Sequence, residues 1–105
     1  MKTKFSLQNK VVVLTGGGSG IGSAIATTFA ACGANVHILD LNMEATNKTV
    51  SEIKKAGFLA KGFKCNVADY NSVTETVNQI ALSSSIDVLI NNAGIAHVGN
   101  IEDCA

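Results

Sequence analysis

The run Val11-Val12-Val13-Leu14-Thr15-Gly16-Gly17-Gly18-Ser19-Gly20-Ile21-Gly22 passes from β-branched residues into glycines with nothing between. The apolar block suits a strand buried on both faces of a parallel sheet. Beyond the glycines, Ile21, Ile25, Phe29 and Cys32 recur at intervals of four, four and three. That spacing describes one face of a helix, and Gly33 is placed to end it. Each glycine of the turn has a distinct use. Gly16 can take the positive φ that swings the chain off the strand. Gly20 lets an anion approach the backbone, and Gly22 lets the helix pack closely on the strand. The N–H groups of the first helical turn, helped by the helix dipole, then face that anion.

Three glycine-loop patterns compete for this turn. The phosphoryl-transfer loop needs a lysine after its last glycine, but Ser23 follows Gly22. The common dinucleotide pattern G-x-G-x-x-G fails, because Ile21 or Ser23 falls where its third glycine belongs. Thr15-Gly16, Gly20 and Gly22 fit Thr-Gly-x-x-x-Gly-x-Gly instead. A flexible linker or plain tight turn is the competing reading, and the close flanking strand and helix argue against it.

Outward from this turn, Asn35–Asp40 reads as a second strand, and Met43, Val50 and Ile53 mark a second helix closed by Gly57. Asp40 ends that strand eighteen residues past Gly22. An acid there can accept hydrogen bonds from ribose hydroxyls, or it can cap the next helix. A third strand lies within Phe58–Val67. Asp69 or Ser72 can cap a third helix, Ser72 with Glu75 at capping-box spacing, whose buried face is Val73, Val77, Ile80 and Ala81. Ile86–Ile90 reads as a fourth strand leading into Asn91-Asn92-Ala93-Gly94. The alternation predicts an α/β fold, a Rossmann-type parallel sheet with helices on both faces. The fourth strand is so apolar that it reads as interior, and the sheet as incomplete there. The expectation is that residues 1–105 are the N-terminal part of one dinucleotide-binding domain.

Composition excludes several classes. The 105 residues are 47% hydrophobic and 15% charged, which is globular rather than disordered. Eight basic residues balance eight acidic ones, so nucleic acid and anionic membrane surfaces are not expected partners. Cys32, Cys65 and Cys104 are scattered, which suggests reduced thiols in a cytoplasmic protein and no metal site. Near Lys2 and Lys4 the only apolar run is Val11–Leu14, shorter than a signal segment or membrane span.

With both motifs in view, the sequence resembles the short-chain dehydrogenase/reductase family from about Leu7 to about Ile101. TGGGSGIG (residues 15–22) is similar to that family's cofactor loop, and NNAG (residues 91–94) to its motif after strand four. Asn and Gly also favour turns, so NNAG alone would read as one. The resemblance implies that Gly18, Ser19 and Ile21 line the pyrophosphate and adenosine ribose. It implies that Asn92, Ala93 and Gly94 sit beside the nicotinamide-side ribose, while the asparagines tie the central strands together. Asn66-Val67 stands where the family commonly has Asp-Val against the adenine edge; the amide can accept and also donate, or it can serve as a strand-end turn residue.

The resemblance further implies an oxidoreductase that moves hydride between a nicotinamide cofactor and an alcohol or carbonyl substrate, working as a homo-oligomer. Members using NADP tend to carry Arg or Lys at the positions of Ser19 and Leu41, both uncharged here. A 2′-phosphate ~4 Å from Asp40 would meet repulsion of about 1 kcal/mol per unit charge in water and about 4 at an effective dielectric of 20. NAD is therefore the expected cofactor. The family's catalytic Ser, Tyr-x-x-x-Lys and Asn have no match here: Tyr70 is the only tyrosine and Thr74 stands four residues on. His97 reads as a loop histidine, and neither His37 nor Cys104 has an evident partner. A dinucleotide-sensing module without catalysis is the alternative.

Overall fold

The computed structural model describes residues 6–18 and 20–92. Its elements are β1 (Val11–Thr15), α1 (Gly20–Ala31), β2 (Asn35–Asp40), α2 (Met43–Lys55), β3 (Leu59–Lys64), α3 (Tyr70–Ser83) and β4 (Val88–Asn91). The strands form one parallel sheet in the order β3-β2-β1-β4. From β1 the chain therefore steps outward to β2 and β3, then crosses back to place β4 on the other side of β1. That reversal is the Rossmann-type switch point, and in such sheets the ligand crevice lies outside the carboxyl ends of the strands at that point.

The two faces carry separate cores. Val12, Leu14, Val36, Ile38 and Ala60 pack against Ala26 and Ala30 of α1 and Ile53 of α2. On the opposite face Val13, Leu39 and Cys65 pack against Ile80 of α3, with Phe63, Val67, Val73 and Val77 around them. Val12, Val13 and Leu14 are wholly buried, as their uninterrupted apolar run demands. Helices α1 and α2 end alike. The amides of Gly33 and Ala34 donate to Ala30 and Phe29, and those of Gly57 and Phe58 to Lys54 and Ile53. Both sets follow the Schellman pattern, so these two glycines stop the helices where the sequence places them.

Several details differ from the sequence reading. In α1 the buried positions are Gly22, Ala26 and Ala30, while Ile25, Phe29 and Cys32 are only partly buried and Ile21 is 75% exposed. Small residues face the sheet because they let the helix come closer, and the larger ones flank the contact. Asp69 caps α3, accepting from Asn71 N at 3.0 Å. Ser72 does not cap: its Oγ lies inside the helix and accepts from Asn66 N at 3.2 Å. Ala81 is exposed rather than part of the buried face. The fourth strand begins two residues later than expected, because Asp87 turns its carboxylate onto the Val11 amide at 2.8 Å while its own N–H bonds Val11 O at 2.9 Å. Among the described residues β4 pairs only with β1, and Leu89 on it is 56% exposed.

His37 occupies the second face of β2, in register with Lys61 of β3, and its ring stacks on Phe63 at 5.7 Å. It is 6% exposed, and neither ring nitrogen has a partner among the described residues. Burial holds its pKa below the ordinary 6.5, and the nearby Lys61 charge adds to that. The unfolded chain thus takes up a proton near 6.5 that the folded chain refuses until lower pH. Stability is fully present above that value and is lost as pH falls through the window beneath it. His37→Leu in the full-length protein should flatten this acid slope. Urea midpoints between about pH 7.5 and pH 5 test it, and identical slopes in both proteins would rule out His37 as the source.

Candidate functional site

The glycine turn lies at the carboxyl end of β1, on the crevice side of the sheet. Gly16 has φ 73° and its N–H continues the ladder to Leu39 O at 2.8 Å. Gly20 opens α1 with φ 59°, and a Cβ built on it would meet nothing within 4 Å among the described residues. The backbone there is therefore accessible to a ligand. No acidic residue stands in the first turn of α1, so nothing on the helix itself competes for its positive end.

Gly22 is the opposite case. A Cβ there would fall on the Gly16 carbonyl oxygen and within 2.8 Å of Asn92 Nδ2. Helix and turn are in contact at a distance that only a hydrogen atom allows. The same Gly16 oxygen accepts from Asn92 Nδ2 at 3.0 Å, and Thr15 Oγ1 donates to Asn91 Oδ1 at 2.9 Å. Both asparagines thus fasten the end of β4 to the end of β1 and its turn.

Asp40 ends β2 half-buried, and its two carboxylate oxygens have separate partners. Oδ2 accepts from Gly18 N at 3.1 Å and Oδ1 from Asn42 N at 3.1 Å. The cap of α2 is Asn42, which accepts from Ala45 N at 3.0 Å. Asp40 is therefore not itself the cap: it takes the backbone amide of the capping residue with one oxygen and that of the glycine turn with the other. A Cβ on Gly18 would come within 2.8 Å of Asp40 Oδ2 and 3.1 Å of Thr46 Oγ1, so the Asp40 carboxylate would have to shift to admit one. Leu41 and Ile21 are both largely exposed beside these groups. Asn66 closes a local turn, its Oδ1 accepting from Ala68 N at 3.1 Å, and Val67 packs on the second core. Ser19, Ala93, Gly94, His97 and Cys104 lie outside the described residues. Tyr70 starts α3 and is 81% exposed. Among the described residues no group of His, Cys, Asp or Glu could hold a metal.

Sequence reading passed over the polar residues that hold the turn from α2. Thr46 and Thr49 are buried on the face of α2 that meets the sheet. Thr49 Oγ1 donates to Gly18 O at 3.0 Å, and Ser23 Oγ lies 3.1 Å from Thr49 Oγ1. Their signal was present in the spacing, since Thr46, Thr49 and Ile53 share a helical face. A search for apolar residues alone skips it. Gly17 was passed over as well: a Cβ there would press on Ile38 and Leu14 at 2.9 Å, so it seats the turn on the first core.

The strand order and the glycine turn at its switch point define a Rossmann-type α/β chain. The chain belongs to the short chain dehydrogenase family, whose model matches residues 10–105. It is 44% identical over 94 residues to the uncharacterized oxidoreductase YxbG of Bacillus subtilis, covering 89% of this chain and 34% of that protein. A Haemophilus influenza oxidoreductase crystallised with bound NAD superposes with a TM-score of 0.72 at 38% identity, over 80% of this chain and 30% of the other. An actinorhodin polyketide ketoreductase with NADPH superposes with a TM-score of 0.73 at 30% identity, over 80% and 33%. The chain spans about a third of the length of the curated relatives it matches.

The two glycines of α1 should respond differently to a methyl group. Gly20→Ala adds no clash and incurs mainly the left-handed backbone penalty, about 1 kcal/mol. Gly22→Ala forces backbone apart and should cost about 3 kcal/mol, the upper end of overpacking. Urea denaturation of the full-length variants compares them, and equal losses would contradict the close contact at Gly22.

Proposed function

We propose that this chain is the cofactor-binding part of an NAD(H)-dependent oxidoreductase acting on an alcohol/carbonyl pair. The observation that carries the reading is the open backbone at Gly20, on an α1 N-terminus free of acidic residues, with the Asp40 carboxylate beside it. An anion suits the first and a ribose diol the second. Gly18, Ser19, Gly20 and Ile21 line the pyrophosphate and the adjoining ribose, while Gly16 and Gly22 shape the turn that presents them. Asp40 and Leu41 flank the adenosine ribose hydroxyls, Asn66 and Val67 the adenine, and Asn92, Ala93 and Gly94 the nicotinamide-side ribose. When bound, the nicotinamide supplies or accepts the hydride.

Preference for NAD follows from charge. Asp40 accepts hydrogen bonds from a free 2′-hydroxyl and repels a 2′-phosphate, and Leu41 offers no cation to offset it. Similar chains carry NAD in one case and NADPH in another, so the distinction rests on this chain's own residues. The proton-handling residues of the family are assigned to the part of the protein beyond residue 105, together with the substrate pocket and the homo-oligomer contacts. The free Cys32 and Cys65 suit a reducing cytoplasm.

Calorimetric titration of the full-length protein should show tighter binding of NAD than NADP. Asp40→Ala should weaken NAD by about tenfold, the scale of a lost charged hydrogen bond, and narrow its advantage. Gly20→Val should abolish binding of both in a folded protein, because its side chain enters the space the pyrophosphate needs. Equal or tighter NADP binding by the unsubstituted protein would defeat the charge argument. Binding without turnover of any alcohol or carbonyl compound would favour the sensing alternative.

A further inference from the structure

Helix α2 reaches across to the glycine turn with hydroxyl groups, at a place where its amphipathic pattern leads one to expect an aliphatic contact. Thr49 is 3% exposed, and its Oγ1 donates to the Gly18 carbonyl at 3.0 Å. A threonine hydroxyl has one hydrogen. With that hydrogen committed to Gly18 O, the 3.1 Å contact to Ser23 Oγ must run the other way, Ser23 donating to Thr49. The result is a directed relay from Ser23 in α1, through Thr49 in α2, to the turn that precedes α1.

Gly18 is thereby held at both of its polar atoms. Its N–H donates to Asp40 Oδ2 at 3.1 Å and its C=O accepts from Thr49. Side-chain contact completes the seat, since a Cβ on Gly18 would crowd Thr46 Oγ1 and the Ala45 methyl. The direction of the carbonyl matters for an anion. A free carbonyl in a phosphate-binding turn can rotate its negative end toward the ligand, where it opposes the N–H groups that attract it. Bonded to Thr49, the Gly18 oxygen is turned toward α2, with one of its two lone pairs engaged there.

We propose that Thr49, supported by Ser23, is a positioning residue for the pyrophosphate. It keeps the Gly18 carbonyl directed into α2, so that the turn presents donors to the ligand at no further cost of reorganisation. This inference rests on the dinucleotide reading above and assigns part of that affinity to a helix that does not touch the phosphates.

The test is calorimetric titration of the full-length protein with NAD, with adenosine as a phosphate-free probe. Thr49→Val keeps the shape and removes the hydroxyl; it should weaken NAD by about tenfold, the scale of one buried hydrogen bond. Thr49→Ser restores the donor and should return affinity to within about twofold. Adenosine should bind all three proteins alike. Unchanged NAD affinity in a cooperatively melting Thr49→Val overturns the proposal. So does equal weakening by Val and Ser, or an equal loss for adenosine and NAD, since these report shape or general damage. If Thr49→Val does not melt cooperatively, Ser23→Ala decides. An affinity loss of about threefold confined to NAD supports the relay, and no loss overturns it. An unsubstituted protein that binds no nicotinamide dinucleotide removes the dinucleotide reading and this inference together. One that binds NAD while the variants behave like it removes only the inference.

Discussion

At Gly22 the backbone of α1 lies against the carbonyl of Gly16 with room for a hydrogen atom and nothing larger. Much of the described structure hangs on that approach. It fixes where the helix axis starts relative to the end of β1, and so where the helix N-terminus lies beside the crevice. The Gly16 oxygen also receives the Asn92 amide, so the contact that seats α1 registers β4 on β1 as well. Below it, Ala26 and Ala30 continue the small-residue contact onto Val12 and Leu14. A helix bearing leucines at these positions would stand farther off the sheet, and its first turn would no longer meet the turn after β1.

The second constraint is the treatment of polar groups at the crevice. A glycine-rich turn gains the close approach a ligand needs, but it leaves peptide groups without side chains to shield or bond them. Asp40 and Thr49 answer this from two different elements, one taking the Gly18 N–H and the other its C=O. Asp40 is further held by the Asn42 amide at the start of α2. The turn is thus braced by β2 and α2 before any ligand arrives, which limits the entropy lost on binding. At Gly20, by contrast, a Cβ would meet nothing within 4 Å among the described residues, and space is left open there.

Asp87 does comparable work at the opposite end of the sheet. Its carboxylate takes the Val11 amide, and its own amide gives a bond to the Val11 carbonyl, so β1 and β4 are clamped before the regular ladder begins. Between this clamp and the Asn91-Asn92 bonds, the two strands at the switch point are held at both ends. A crevice that opens where strand order reverses can keep a constant width only if those two strands cannot shift in register.

The sequence by itself determined the order of elements, the parallel sheet and the family. It also marked Gly16, Gly20, Gly22 and Asp40 as the residues that shape the crevice. These follow from local rules: a β-branched run makes a strand, glycines allow a sharp turn, and an acid at a strand end cannot be buried without partners. It placed Ile21 on the contact face of α1, where the structure exposes it, and left out Gly22, Ala26 and Ala30, which are the buried positions there; Ile25, Phe29 and Cys32 pack against the core only in part. Hydrophobic periodicity ranks residues by apolarity, whereas close packing at this helix selects for small size. Tertiary structure alone decided that Asp40 braces Gly18 while Asn42 caps α2. It alone placed Ser72 inside α3 and moved the start of β4 past Asp87. It alone brought Thr49 to a carbonyl 31 residues away and Asp87 to an amide 76 residues away. Such partners are set by which strand ends meet at the switch point, and no spacing along the chain encodes that distance.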